Sequence, residues 1–291
     1  MKAKFKTVTV AHSPDADDIF MFYAIKFGWI GLSDVKFDNV ALDIETLNVK
    51  ALENYYDISA ISFGLYPLIK DEYALLRTAV SFGEGYGPKL IKKKGVKLKR
   101  NFKVALSGKY TTNALLFKIA YPDAKIIYKN FLDIEKAVID GEVDAGVLIH
   151  ESILTYDDSL EVEREIWDIW QELTGGGFPL PLGGMGVRRS IPITRAISYE
   201  EVLTKAVKVA HENRKILSKM LLQRELIRVD ADKLETYLDL YANEESISMS
   251  DIQLDAIDKL FKIGYDSGYY SEKLDVRDYL VPVQYNDYRF A

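Results

Sequence analysis

The segment KVALSGKYTTNALLFKI, residues 103–119, contains the strand–turn–helix pattern on which the fold prediction depends. A short apolar run typical of a strand opens it, and a polar turn follows. Thr111, Thr112 and Asn113 are residue types that cap helices, and apolar residues then recur at helical spacing to the end of the segment. The pattern predicts one strand–helix unit of an α/β fold.

The same order of elements occurs at the start of the chain, in TVTVAHSPDADDIFMFYAIKFGW, residues 7–29. Apolar and polar residues alternate as in a strand, a proline interrupts them, and an apolar helix is predicted over residues 19–29. Asp15, Asp17 and Asp18 precede this helix, where carboxylates satisfy free backbone N–H groups and complement the helix dipole. We therefore expect these aspartates to have a capping role.

Further strands and helices alternate along the chain, which indicates parallel sheets with crossover helices. The lysine-rich stretch 92–100 interrupts the pattern and is interpreted as a crossover between two lobes. We predict an α/β protein with two lobes and a cleft between them. Lobe 1 comprises residues 1–100 plus 191–291, including C-terminal helices that return to brace it, and lobe 2 comprises residues 101–190.

Composition excludes several classes of function. The 291 residues include 38 Lys plus Arg and 44 Asp plus Glu, a net charge of −6, which argues against nucleic-acid or anionic-membrane binding. The chain has no cysteine, so disulfides, thiol nucleophiles and cysteine-ligated metals are excluded. Its opening residues do not resemble a secretory signal, and no apolar run approaches the roughly 18 residues of a membrane span. We expect a cytoplasmic protein.

Ligands of open α/β sheets bind beyond the carboxyl ends of the strands. Three segments follow predicted strands in this way: His12-Ser13, Ser107–Asn113 and His150-Glu151-Ser152. His150 ends an apolar strand, and two interpretations are equally supported: a general base facing the cleft, or a buried histidine bonded to a carbonyl. His12 fits turn chemistry better than ligand contact, and His211 shares the polar stripe of a helix.

Two other groups allow more than one interpretation. The N-terminus at Thr111, Thr112 and Asn113 could bind a substrate carboxylate or could simply be a helix cap. The aspartates near residue 15 could bind a divalent cation, but an acidic first turn requires no metal, and we favour the latter.

Several motifs together resemble the 1,4-dihydroxy-6-naphthoate synthases of the futalosine route to menaquinone. They are the opening Ser-Pro motif in His12–Phe20, the His-Glu-Ser motif in Ile149–Ser152, the Pro-Leu-Gly motif in Leu180–Gly183, Thr111-Thr112 and Gly87-Pro88. The similarity extends over nearly the whole chain and weakens after about residue 200. Two features differ from the family: its opening commonly continues Cys-Pro-Asn-Asp-Thr where this chain has Asp15–Ile19, and Asn113 replaces a small residue.

The resemblance implies a fold like that of type II periplasmic binding proteins, used as an enzyme without a metal or organic cofactor. The reaction implied is conversion of cyclic dehypoxanthine futalosine to 1,4-dihydroxy-6-naphthoate with release of dihydroxyacetone. A neutral His150 is the implied proton acceptor, with Thr111 and Thr112 holding the substrate carboxylate. The substrate contacts expected are Ser13, Ala60, Ile61, Ser62, Thr111, Thr112 and Asn113.

Two alternatives share this architecture. One is chorismate dehydratase, which also acts on a carboxylated ring, and the other is a solute-binding protein without catalysis. In each case the expected partner is a small carboxylated molecule, and a homodimer is an open alternative to a monomer.

Overall fold

The computed structural model describes residues 6–227, 230–242 and 246–284. The strands are β1 (Lys6–His12), β2 (Val35–Ala41), β3 (Ile58–Ser62), β4 (Tyr73–Leu75), β5 (Ser81–Gly83), β6 (Lys89–Lys93), β7 (Lys103–Leu106), β8 (Lys125–Tyr128), β9 (Ala145–Leu148), β10 (Leu160–Glu165) and β11 (Leu180–Arg188). The helices are α1 (Ala16–Lys26), α2 (Ile44–Leu52), α3 (Thr112–Ala120), α4 (Phe131–Ile139), α5 (Ile166–Thr174), α6 (Ile193–Glu212), α7 (Arg214–Gln223), α8 (Ala231–Tyr241) and α9 (Asp251–Asp266).

These strands form two mixed sheets. The first has the order β2-β1-β3-β11-β4, with β5 also paired to β11, and β1 is parallel to both of its neighbours. The second has the order β10-β6-β9-β7-β8, and β7 is parallel to both of its neighbours. The predicted alternation of strands and helices is therefore confirmed. β3, which lies between two other strands, is buried along its whole length.

Sheet pairing divides the chain at different places from the predicted lobe boundaries. β6 pairs with β9 and β10 in the second sheet, whereas β11 pairs with β3 in the first. The chain thus passes between the sheets within residues 84–88 and returns within 175–179, instead of near residues 100 and 190. The lysine-rich stretch is not the crossover, because it ends β6 and turns back toward β10, where Lys92 forms ion pairs with two glutamates.

Two local elements also differ from the sequence prediction. Helix α1 begins at Ala16, three residues before the predicted start, because the acidic residues after Pro14 already belong to its first turn. The sequence of residues 63–70 is typical of a helix, but only a 3-10 turn forms at Tyr66–Leu68. Pro67 lies in that turn, and proline is tolerated only in the first turn of a helix.

The C-terminal helices return to the first half of the chain, as predicted. α6 packs against α1 and buries Tyr199, Leu203 and Ala206, and α7 and α8 also contact α1. This brings α8, distant in sequence, to the end of the cleft described below. Among the described helices, none combines the length and apolar character that crossing a membrane requires.

Candidate active site

A cleft of about 760 Å³, its open mouth included, lies where the two sheets face each other. The carboxyl ends of β1, β3, β7 and β9 converge on it, at the edge of the sheets where ligands of open α/β folds bind. All predicted site residues line the cleft: Ser13, Ala60, Ile61, Ser62, Thr111, Thr112, Asn113 and His150. Further lining residues, which were not predicted as contacts, are Asp15, Asp17, Asp18, Ser107 and Tyr237.

His150 is positioned by strand β9 and by an unusual backbone conformation. The chain leaves the strand at Ile149, and His150, the first residue of the short 3-10 turn His150–Ile153, takes a left-handed φ of 55°. Non-glycine residues seldom adopt this conformation, and it is frequent at functional sites. The imidazole Nδ1 lies 2.8 Å from Oδ2 of Asp15, which is only 1% exposed. The other ring nitrogen, Nε2, is buried and has no hydrogen-bond partner within the described residues.

The charge of this imidazole differs from the expectation. Burial alone would lower the pKa of His150, but the adjacent Asp15 carboxylate outweighs burial and raises that pKa to about 9. In the ligand-free cleft the ring is therefore protonated at neutral pH, instead of neutral as the sequence interpretation assumed. A raised pKa makes the imidazole a stronger base but leaves less of it in the basic form.

Asp15, Asp17 and Asp18 form one side of the cleft, called here the acidic wall. Burial first, and then the neighbouring carboxylates, raise the pKa of Asp17 well above its ordinary value. Burial likewise raises the pKa of Asp18 to about 7, although the Ser13 N–H donates to its Oδ2 at 2.7 Å and opposes the shift. Tyr237 of α8 donates to Oδ1 of Asp17 at 3.2 Å. At neutral pH this wall therefore carries less negative charge than its carboxyl groups suggest.

The capping role expected of Asp15 is wrong. Its side chain makes no capping bond to α1, and the Ala16 N–H instead donates to Oε1 of Glu151 at 3.1 Å. A carboxylate from beside β9 thus caps the helix, while Asp15 is directed to His150. Aspartate at this position suits a cap and an ion pair equally well, so the sequence cannot separate the two roles.

The opposite side of the cleft is the neutral wall, made of Ser107, Thr111, Thr112 and Asn113. It contains the N-terminus of α3, whose first backbone N–H groups have no acceptor within the helix. The Thr111 hydroxyl caps Ala114 N and donates to the Asn113 side chain. The Thr112 hydroxyl donates to the Leu182 carbonyl at 2.8 Å. Both threonine protons are thus used within the protein, so the donors that remain for an anion are chiefly backbone N–H groups.

Ser107 adds a donor to the neutral wall. The residue is 6% exposed, and its Oγ has no hydrogen-bond partner within the described part of the chain. Across the cleft, Ser62 is fixed by Asn48, which donates to its Oγ at 3.0 Å and accepts from its N–H at 2.9 Å. A serine hydroxyl that accepts one hydrogen bond keeps a proton that it can donate. Asn48 is fully buried on α2, a polar residue among apolar ones, and this was an overlooked signal.

The remaining histidines do not line the cleft. His12 lies beneath it, where its Nδ1 is 2.7 Å from the Ser13 carbonyl and its ring contacts Phe22. Burial lowers the pKa of His12, which favours the neutral ring of a structural residue. Within residues 6–227, 230–242 and 246–284, no group of three or more His, Asp or Glu side chains is arranged to hold a metal ion. The expectation that no cofactor is needed stays a prediction.

Comparison with known proteins agrees with the resemblance. A family model described as "Menaquinone biosynthesis" matches residues 8–266. The chain is 31% identical to a 1,4-dihydroxy-6-naphthoate synthase of Thermus thermophilus over 70% of this chain and 75% of that protein. It is 28% identical to the synthase of Streptomyces coelicolor, over 82% of this chain and 86% of that protein.

Solved structures support the fold. A crystal structure from Archaeoglobus fulgidus matches with a TM-score of 0.84 and 34% identity, covering 90% of this chain and 98% of that one. The periplasmic sulphonate-binding protein of Escherichia coli matches with a TM-score of 0.65 and 12% identity, covering 95% and 97% of the two chains. The second likeness concerns the fold alone. The chain has a fold of the periplasmic-binding-protein type and belongs to the menaquinone biosynthesis family.

Proposed function

We propose that the chain is a 1,4-dihydroxy-6-naphthoate synthase, which converts cyclic dehypoxanthine futalosine to 1,4-dihydroxy-6-naphthoate and releases dihydroxyacetone. The observation that carries the proposal is the orientation of His150. His150 lines the cleft, its Nδ1 is held by Asp15 at 2.8 Å, and its Nε2 is buried and has no hydrogen-bond partner in the part of the chain that the structure describes. Together with the family membership, this supports a lyase that begins by removing a proton from its substrate.

In this proposal Nε2 of His150 is the general base. Proton removal by a positioned base contributes about 10²–10⁴ in rate. With a pKa of about 9, only about one imidazole in a hundred is unprotonated at pH 7 in the free enzyme. The value of kcat/KM should therefore rise with pH toward 9. Elimination and a retro-aldol-type cleavage then follow proton removal and make the ring aromatic.

The substrate carboxylate binds the neutral wall. The N-terminus of α3 presents backbone N–H groups and the positive end of the helix dipole, and both favour an anion. The Ser107 hydroxyl supplies a further donor. Among the described residues that line the cleft, none is a lysine or arginine, so these neutral donors have to compensate the carboxylate charge. The sugar-derived part of the substrate then faces the acidic wall and His150.

Contacts with the first sheet complete the site. Ser62 donates its hydroxyl proton to the substrate, with Asn48 holding the oxygen in place. Ser13, Ala60 and Ile61 form the surrounding surface at the ends of β1 and β3. Closure of the two lobes around the substrate excludes water and aligns the fragment that leaves.

Purified protein incubated separately with cyclic dehypoxanthine futalosine and with chorismate tests the proposal. Chromatography and mass spectrometry should detect 1,4-dihydroxy-6-naphthoate and dihydroxyacetone from the first substrate. They should detect no 3-[(1-carboxyvinyl)oxy]benzoate from the second. Turnover of chorismate would instead identify a chorismate dehydratase. Binding of either compound without turnover would point to a solute-binding protein.

A further inference from the structure

We propose that Asp15, which follows a strand of the first sheet, is a positioning residue that completes the base carried by the second sheet. The inference concerns a residue that differs from the family resemblance, because an aspartate stands here at the place of the family's common cysteine. It depends on the proposed role of His150. The contact that carries it is the 2.8 Å approach of Oδ2 of Asp15 to Nδ1 of His150.

The two partners come from different sheets. Asp15 follows β1 of the first sheet, and His150 follows β9 of the second. A second bond joins the same two segments, because the Ala16 N–H donates to Glu151 at 3.1 Å. The base therefore has its orienting carboxylate only when the two segments are together. Separation of the lobes would leave the imidazole without that acceptor.

The Asp15 contact determines which ring nitrogen can react. A carboxylate accepts the Nδ1 proton, which fixes the tautomer with the lone pair at Nε2 once the ring gives up its second proton. Nε2 is buried and has no hydrogen-bond partner among the described residues, so its lone pair is not occupied by the protein there. Asp15 is itself held by Ser13, whose hydroxyl donates to its Oδ2. The same oxygen, Oδ2, thus accepts from the Ser13 hydroxyl and contacts Nδ1 of the imidazole.

Several other groups face His150 and have to be considered with Asp15. Asp17 and Asp18 lie on the same segment as Asp15, and Glu151 is the next residue along the chain. The ring of Phe131, from α4, lies edge-on to the imidazole at 5.1 Å between centroids. Asp15 contributes the largest attraction to the imidazolium, because it both lies nearest and accepts a hydrogen bond. Removing the charge of Asp15 should therefore alter the pKa of His150 more than removing the charge of Asp17, Asp18 or Glu151.

The substitution Asp15→Asn tests the proposal with two independent readouts. In NMR spectra of protein labelled at histidine, assigned with His150→Asn, the apparent pKa of His150 should fall from about 9 to 7 or below. With cyclic dehypoxanthine futalosine, the acidic limb of kcat/KM should move to lower pH by the same amount. Loss of kcat should be at least about 10-fold near pH 9.5 and smaller near pH 7, with KM changed less than about threefold.

Asp15→Glu should restore part of the raised pKa and part of kcat, because it returns the carboxylate. The control is Asp43→Asn, which removes a carboxylate charge in the same lobe, outside the cleft lining, while asparagine still caps α2, and it should leave both readouts unchanged. An unchanged His150 titration in Asp15→Asn would overturn the proposal even if the substrate assignment holds. A shifted titration in a protein that does not turn over the substrate would leave Asp15 supported and overturn the proposed function.

Discussion

The acidic wall and the neutral wall of the cleft differ in the kind of buried polar group they contain: the first has ionisable carboxyl groups, and the second has neutral hydrogen-bonding groups. Asp15, Asp17 and Asp18 crowd carboxyl groups around one imidazole, and their mutual repulsion together with burial raises the pKa of Asp17 and of Asp18. The neutral wall carries no ionisable group among its four members and offers hydroxyls, an amide and a helix N-terminus instead. In the proposed function, this difference assigns proton chemistry to one wall and anion binding to the other.

This separation has an electrostatic reason. A carboxylated substrate would be repelled if its charge lay beside the aspartates, whereas the positive end of a helix dipole attracts it. Conversely, catalytic bases commonly have a shifted pKa, and the carboxylates of the acidic wall shift the pKa of His150. Each wall can therefore be altered separately, and the following substitutions examine the two in turn.

The largest effect is expected from His150→Asn, which removes the base from the acidic side. Asparagine tolerates the left-handed backbone of residue 150, so the fold should persist. We expect kcat for cyclic dehypoxanthine futalosine to fall about 10²–10⁴-fold, with KM changed much less. His211→Asn, outside the cleft lining, is the control and should retain wild-type rates. A near-normal kcat of His150→Asn would show that His150, on the acidic side of the cleft, is not the base.

An intermediate effect is expected on stability from Asp18→Asn. The folded-state pKa of Asp18 is raised from 3.8 to about 7, so the folded protein retains a proton that the unfolded chain releases. The protonated Asp18 side chain contributes fully to the free energy of unfolding below pH 4. This contribution is lost as pH rises toward 7, at up to about 1.4 kcal/mol per pH unit. Asparagine keeps an acceptor for the Ser13 N–H but does not titrate.

Urea unfolding at pH 5 and pH 8 measures this difference. Between these values, the free energy of unfolding of the wild type should fall relative to that of Asp18→Asn by more than about 1 kcal/mol. Asp43→Asn, which removes an aspartate outside the cleft, should keep the wild-type dependence on pH. If the free energy of unfolding changed equally with pH in the wild type and in Asp18→Asn, the raised pKa of Asp18 would be wrong. The description of the acidic wall as a group of carboxyl groups with raised pKa values would then fail.

The smallest effect is expected from Ser107→Ala on the neutral wall. Loss of one hydrogen bond to a charged group costs about 1.5 kcal/mol, so KM should rise about 10-fold with kcat nearly constant. Ser218→Ala is a matched control, since Ser218 is also a buried serine whose hydroxyl has no partner among the described residues, but it lies on α7. An unchanged KM in Ser107→Ala would mean that the substrate carboxylate does not bind Ser107. The proposed assignment of anion binding to the neutral wall would then lose support.

The sequence was sufficient to predict much of the fold and the position of the site. Strand–helix alternation depends on local periodicity, and the carboxyl ends of parallel strands meet by geometry, so Ser13, Thr112 and His150 could be placed together. Ser62 was added only by the family resemblance. Sheet membership was harder to predict. A short strand such as β6 has the same pattern whichever sheet it joins, because pairing depends on distant partners.

The electrostatic state of the site could not be predicted from local patterns. Asp15 and His150 are separated by 135 positions, and an aspartate before a helix ordinarily indicates a cap. The raised pKa of His150 depends on that contact, so the prediction of a neutral ring failed with it. Tyr237 entered the cleft lining through the packing of α8, which no spacing near either strand end could indicate.

A crystal structure of His150→Asn soaked with cyclic dehypoxanthine futalosine tests the central claim most directly. The intact substrate should lie in the cleft with its carboxylate against the first turn of α3 and Ser107. Its sugar-derived carbons should approach the position of the missing imidazole beside Asp15. A carboxylate bound next to the aspartates, or a substrate bound outside this cleft, would contradict the account.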